Sequence, residues 1–275
     1  MRTIVLSCLL LAASALPAHA SVIAVFDNST YVDTTGVSPV PSSDALQALL
    51  SSQSNTVHTF TGLTDGDFTT ALNGADLILF PQLLNFGVLA TDLSASAKTV
   101  LADYVAGGGG LIAIGDSATR LLNAIFYPTC DFATVKCFAS TGGGGDSFQT
   151  GEATGTPFAA DPGTLTVSAG NAINHFAFNP AGAENLYKDA SGGTTVLTAP
   201  FGSGEFGFLA WSFGNAAPAG NLDGGWDDVL DTTVSVVARP AAVPAPGSSS
   251  LLGLALLALG GITMFKRGSS GSIHS

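Results

Sequence analysis

Along the first half of the chain, short runs of consecutive apolar residues alternate with segments whose apolar residues return every three or four positions. Residues 21–27 open the series with Val22, Ile23, Ala24, Val25 and Phe26 in succession. A run that is apolar at both parities must be covered on both faces, which predicts a central strand. Residues 43–52 place Ala45, Leu46, Leu49 and Leu50 on one side behind Ser42, Ser43 and Asp44, the composition of a helix start. Residues 56–60 alternate as a strand, 65–73 predict a short helix capped by Thr64 or Asp65, and 75–80 predict another buried strand closed by Pro81. A helix over 94–106 runs into glycines, 111–115 is a fourth strand, and 117–126 is the helix after it. Strand and helix in succession mean βαβ units. Right-handed crossovers then give an α/β fold, a doubly wound, mostly parallel sheet covered on both faces.

After Tyr127 the pattern loosens. The glycines at 142–145 read as flexible surface, because no Lys-Ser/Thr follows them as a phosphate-binding loop requires. Short β-like runs at 164–168, 175–178, 194–199 and 205–213 read as β-rich additions, and 223–237 closes the domain as a helix with Val229, Leu230, Val234 and Val237 on its core face. Trp211, Trp226, Phe201, Phe206, Phe208 and Phe213 read as core aromatics of this half.

The two ends follow a different logic. Met1 and Arg2, an apolar stretch over 4–16, and Pro17-Ala18-His19-Ala20 have the charge, apolar core and small-residue cleavage site of a secretory signal, residues 1–20. The mature domain is then 21–238. Residues 239–250 form a Pro/Ala/Ser linker that closely spaced prolines hold extended. An apolar run from Leu251 and the basic pair Lys266-Arg267 make 251–267 a short membrane span with a basic stop, and 268–275 is a tail. Val243-Pro244-Ala245-Pro246-Gly247, the Leu/Gly/Ala span and the basic pair resemble the PEP-CTERM sorting signal of exported Gram-negative proteins, with Ala245 where that signal has Glu. The resemblance implies an exosortase-like processing enzyme as partner. It also implies transient anchoring in the inner membrane, then residence in the periplasm, at the outer surface or in the exopolysaccharide matrix.

Charge narrows the partners further. Between the two targeting segments five basic residues (Lys98, Arg120, Lys136, Lys188, Arg239) stand against all 20 acidic ones, a formal charge of −15. Such a surface repels nucleic acid and anionic lipid. Cys130 and Cys137 in an exported chain predict a local disulfide, worth on the order of 2 to 3 kcal/mol by loop closure.

Candidate chemistry concentrates in residues 101–120, a helix, a glycine turn, a buried strand and a sharp turn at Gly115-Asp116-Ser117. In a doubly wound sheet, ligands sit beyond the carboxyl ends of the strands, so this turn holds the natural site position. Tyr104-Val105, the glycine run and the strand after it are similar to the class I glutamine amidotransferase-like superfamily, particularly its trehalose-utilisation-like branch. That resemblance implies a flavodoxin-like sheet and a nucleophilic cysteine at the turn, with a later His and acid. This chain has no cysteine there, which closes the thioester route. Two readings of the turn stay open: Asp116 or Ser117 caps the next helix, or Ser117 is a nucleophile with His175 as base. Asp223, Asp227, Asp228 and Asp231 crowd the start of the last helix, where carboxylates favour the positive dipole end; Asp223 and Asp227 at i, i+4 are also a weak Ca²⁺ candidate. The expectation is a non-catalytic exported envelope or matrix protein. The alternatives are a hydrolase of matrix glycans or peptides and a Ca²⁺-dependent glycan-binding module.

Overall fold

The computed structural model describes residues 20–34, 42–84, 88–115, 117–129, 138–142, 145–166, 171–174, 180–213 and 223–238. Asp116, Cys130, Cys137, His175, residues 1–19 and everything from 239 onward, including the Val243 to Gly247 motif and the 251–267 span, lie outside the described residues. Among the described residues no helix is long and apolar enough to cross a membrane.

The first half follows its periodicity closely. It runs β1 (Val22–Phe26), α1 (Ser42–Ser52), β2 (Thr56–Phe60), α2 (Asp65–Leu72), β3 (Leu77–Phe80), α3 (Val88–Asp92), α4 (Ala95–Ala106), β4 (Gly110–Ile114) and α5 (Ala118–Phe126). Only α3, a single turn and a half, has no counterpart in the sequence pattern. Thr64 is the cap of α2: its hydroxyl accepts the Asp67 N–H, and the Asp67 carboxylate accepts the Thr64 N–H at 2.9 Å, a reciprocal capping box.

The second half contains β5 (Ala139–Gly142), β6 (Ser147–Gln149), β7 (Thr164–Leu165), β8 (Asn171–Asn174), β9 (Glu184–Asp189), β10 (Thr194–Phe201), β11 (Gly204–Leu209) and α6 (Trp226–Val237), with 3₁₀ turns at Gly151–Ala153 and Pro157–Ala160. The strand order is β2-β1-β3-β4-β11-β10-β9-β6-β7, with β8 branching from β10 and β5 pairing β8. From β2 to β11 every pair is parallel; from β11 outward every pair is antiparallel. The sheet is therefore mixed, which corrects the mostly parallel expectation. The cause is local: Gly202-Ser203 leaves two residues between β10 and β11, and so short a turn joins only antiparallel strands. The glycine run is corrected too, because Gly142 ends β5 and pairs with Asn171 of β8.

Helices cover both faces. Alternation along β11 shows the division: the Phe206 ring stacks on Phe126 of α5 at 4.6 Å, whereas a Cβ on Gly207 would meet Thr233 and Val237 of α6. The two halves join where β11 starts. A Cβ on Gly204 would fall on the carbonyl oxygens of Val105 and Gly109, so the end of α4 rests directly on this backbone. Packed inside are Phe26, with Phe60 and Phe80 each at 5.5 Å, and the buried Trp211, Phe213 and Trp226.

Candidate functional site

The order β2-β1-β3-β4 reverses direction between β1 and β3, so the crevice of this fold should open beyond their carboxyl ends. There the loops that leave the two strands are bonded to each other. The loop leaving β1 turns on Asn28, whose Oδ1 accepts the Thr30 N–H at 2.9 Å and whose Nδ2 donates to the Thr61 carbonyl at 2.7 Å. It then pairs with the loop leaving β3: Val32 and Leu83 form an antiparallel bridge, and the Leu84 N–H donates to the Tyr31 carbonyl at 2.8 Å. The Tyr31 hydroxyl donates to Asp92 Oδ2 at 2.8 Å, fixing α3 beside this roof, and that bond to a carboxylate pushes the Tyr31 pKa up.

The turn after β4 begins with Gly115, whose φ of +80° is the left-handed region that glycine tolerates, and whose N–H donates to the Leu209 carbonyl at 2.8 Å. Ser117 follows Asp116, which lies outside the described residues. Ser117 is 2% exposed, and its Oγ donates to the Leu83 carbonyl at 3.4 Å, on the β3 side of the sheet. It stands at the helix-cap position with φ −72° and ψ −9° and makes no side-chain capping bond. The capping reading is thus corrected for Ser117: an N-cap side chain reaches its helix from extended backbone, and this residue is already helical.

A nucleophilic serine needs access to substrate and a base within hydrogen-bond reach. Ser117 lies beneath the Val32–Leu83 bridge. His175 lies outside the described residues.

An acid–hydroxyl arrangement that the sequence pattern does not single out lies at the switch point itself. Asp27, just past β1, accepts the Ser43 hydroxyl at 2.7 Å, and Gln47 Nε2 donates to that same Ser43 oxygen at 3.1 Å. Ser43 is fully buried, so this chain ties the start of α1 to the end of β1. The only hint in the sequence is an acid ending a buried strand, which reads equally well as a strand terminator.

The acidic crowd at α6 divides in two. Asp223 Oδ2 accepts the Asp227 N–H at 3.2 Å, so it serves the helix start. Asp228 and Asp231 face Asp161, a residue outside the sequence candidates. Desolvation by burial is the chief cause that pushes the Asp161 pKa up to about 6; the Thr232 hydroxyl opposes it, and Asp228 and Asp231 add to it. Burial, then Asp228, raises Asp231 as well. Among the described residues no three His, Cys, Asp or Glu side chains are gathered to hold a metal ion.

Comparison with known proteins points to the fold alone. No protein-family model matches the chain, and no curated protein matches its sequence. Among solved structures, a ThuA-like protein from Parabacteroides merdae aligns at TM-score 0.55 with 10% identity, over 83% of this chain and 94% of that one. A ThuA-like protein from Bacteroides uniformis aligns at TM-score 0.53 with 12% identity, over 78% and 90%. A glutamine amidotransferase from Thermotoga maritima is a looser neighbour, at TM-score 0.45 and 8% identity over 70% and 75%. The domain is a mixed α/β sheet that shares its fold with these ThuA-like proteins.

Proposed function

We propose that this chain is an exported, non-catalytic protein of the cell envelope or exopolysaccharide matrix that uses an amidotransferase-like domain as a rigid body and not as an enzyme. The carrying observation is the state of Ser117. It is the one hydroxyl at the turn where this fold presents its nucleophile, and it is buried beneath a backbone bridge with its proton directed to a carbonyl. The pairing of Val32 with Leu83 and of Tyr31 with Leu84 at the crevice supports this reading, because separating the two loops would cost their mutual hydrogen bonds.

The destination rests on the sequence of the two ends. The 1–20 segment directs export, and Val243 to Gly247 with the 251–267 span forms a PEP-CTERM-like signal for an exosortase-like enzyme. Two measurements test the reading separately. The purified chain should turn over none of a panel of esters, amides and glycosides; turnover abolished by Ser117→Ala overturns the non-catalytic part. Intact mass of the protein recovered from its native envelope should show both ends removed. A mass running to Ser275 overturns the sorting part.

A further inference from the structure

Residues 157–166 form an arm that crosses α6. It comprises the 3₁₀ turn Pro157–Ala160, Asp161, Pro162 and the strand β7. Besides the pairing of β7 with β6 and the bonds that the Gln149 side chain and N–H donate to the Phe158 and Gly163 carbonyls, four contacts hold it: Thr232 donates its hydroxyl to Asp161 Oδ1 at 2.8 Å, Tyr187 donates to the Pro162 carbonyl at 2.8 Å, Thr166 donates its N–H to the Gly224 carbonyl at 3.2 Å, and Pro162 packs over Gly225. Three of them are neutral. The fourth has a defect: Asp161 Oδ2 is buried with no hydrogen-bond partner.

A carboxylate oxygen without a donor is costly to bury, and among the described residues no cation acts on this one. The titratable groups around it are Asp228 and Asp231 from α6, both acidic, and Tyr187 from β9, which its own burial, then Asp161 and Asp228, push up to about 12. Every neighbouring charge therefore opposes ionisation of Asp161. The Asp161–Thr232 bond survives protonation, because Oδ1 remains an acceptor whether or not Oδ2 carries the proton.

We propose that Asp161, Asp228 and Asp231 make the 157–166 arm an acid-tightened clasp on α6, closed firmly in mildly acidic surroundings and loosened at neutral pH and above. The sign follows from linkage. A carboxyl whose folded pKa lies above its unfolded value of 3.8 binds protons more tightly in the closed form. Closure therefore strengthens as pH falls from above 6 toward 3.8, and changes no further below. The direction is opposite to that of most carboxylates, which lose stabilising partners in acid.

The experiment is amide hydrogen exchange on the intact chain near pH 5 and near pH 7.5, corrected for the intrinsic pH dependence of exchange. Peptides covering 157–166 should exchange about threefold to tenfold more slowly near pH 5, tenfold being the linkage limit and the lower figure allowing for solvent screening of a half-buried group. Asp161→Asn, which keeps the acceptor for Thr232 and removes the charge, should be equally protected at both pH values. Asp228→Asn with Asp231→Asn should protect the arm near pH 7.5 without touching Asp161. PH-independent exchange in the unaltered chain overturns the clasp, as does an undiminished pH effect in Asp161→Asn. Should Asp161→Asn fail to fold, the double variant decides: unchanged exchange near pH 7.5 overturns the proposal.

Discussion

Residues 21–126 and 138–238 contribute to one sheet by opposite means. In the first stretch each strand is followed by a helix, each helix returns the chain to the same end of the sheet, and all pairs are parallel. In the second, β9, β10 and β11 fold back on one another through tight turns. Asp189 sets one of these turns by accepting the N–H groups of Ser191 and Gly193, each at 2.9 Å, and Gly202-Ser203 forms the other. The meander nonetheless ends in β11, which pairs parallel with β4. A parallel core of five strands is thus completed by a strand delivered from an antiparallel extension, and the start of that strand lies in direct backbone contact with the end of α4.

That contact is where the comparison breaks most easily. Gly204→Ala would drive a methyl group into the carbonyl oxygens of Val105 and Gly109, neither of which is the flexible end of a side chain. We expect a loss of about 3 kcal/mol or more, read by urea denaturation. Gly74→Ala is the control: its φ is +80°, in the left-handed region that Gly204 does not occupy, but its Cβ meets open space, so the cost stays near 1 kcal/mol. Equal losses for the two would mean that α4 and β11 are not joined as described.

Phe206→Ala tests whether the halves share one cooperative transition. Its ring is fully buried, stacks on Phe126 from the first half at 4.6 Å and approaches Phe138 at 6.0 Å. Truncation should cost about 3 to 5 kcal/mol and shift a single unfolding transition. Separate transitions reported by Trp226 fluorescence and by far-UV signal would show the second half melting by itself.

The difference between the halves also explains what could be read in advance. Leu46, Leu49 and Leu50 fall on one helical face because α1 is long enough to show a period, and all three are buried. β6 and β7 have three and two residues, too few for any period to appear, and in β5 only Thr141 is a strand former, beside Ala139, Ser140 and Gly142. The Gly202-Ser203 hairpin signal was present but needed a decision about strand direction that alternation alone cannot supply. At the site, Ser117 was legible as a position but not as a buried one, since its cover comes from Leu83, 34 residues away. Asp161 was invisible for a similar reason: only the fold brings it to Asp228 and Asp231.

Smaller changes sharpen the comparison locally. Thr64→Ala removes the side-chain cap of α2 in the first half and should cost about 1 kcal/mol. Tyr187→Phe removes the donor to Pro162 in the second and should cost about as much, by leaving a carbonyl oxygen unpaired. The two sites share no contact, so the double variant should lose the sum of the single losses. A shortfall would reveal coupling across the sheet.

The smallest effect has the most telling sign. Asp67 is fully exposed and held below its usual pKa chiefly by the Thr64 hydroxyl, then by the Thr64 N–H. A lowered folded pKa contributes stability that is complete above the unfolded value of 3.8 and disappears as pH falls through the folded one. Asp161 is raised to about 6, so its part of the fold gains stability over the interval from 6 down to 3.8. Acidification should therefore first tighten the arm at 157–166 with α2 unchanged. Only below that interval should the amides of residues 64–68 exchange faster. Proton exchange followed in steps from about pH 7.5 to about pH 3 reads both segments in one sample, each serving as the other's control. If both segments loosen together from the first step, the carboxylates of the two halves are in equivalent surroundings, and the contrast between a solvated helix cap and a desolvated acid facing its own kind fails.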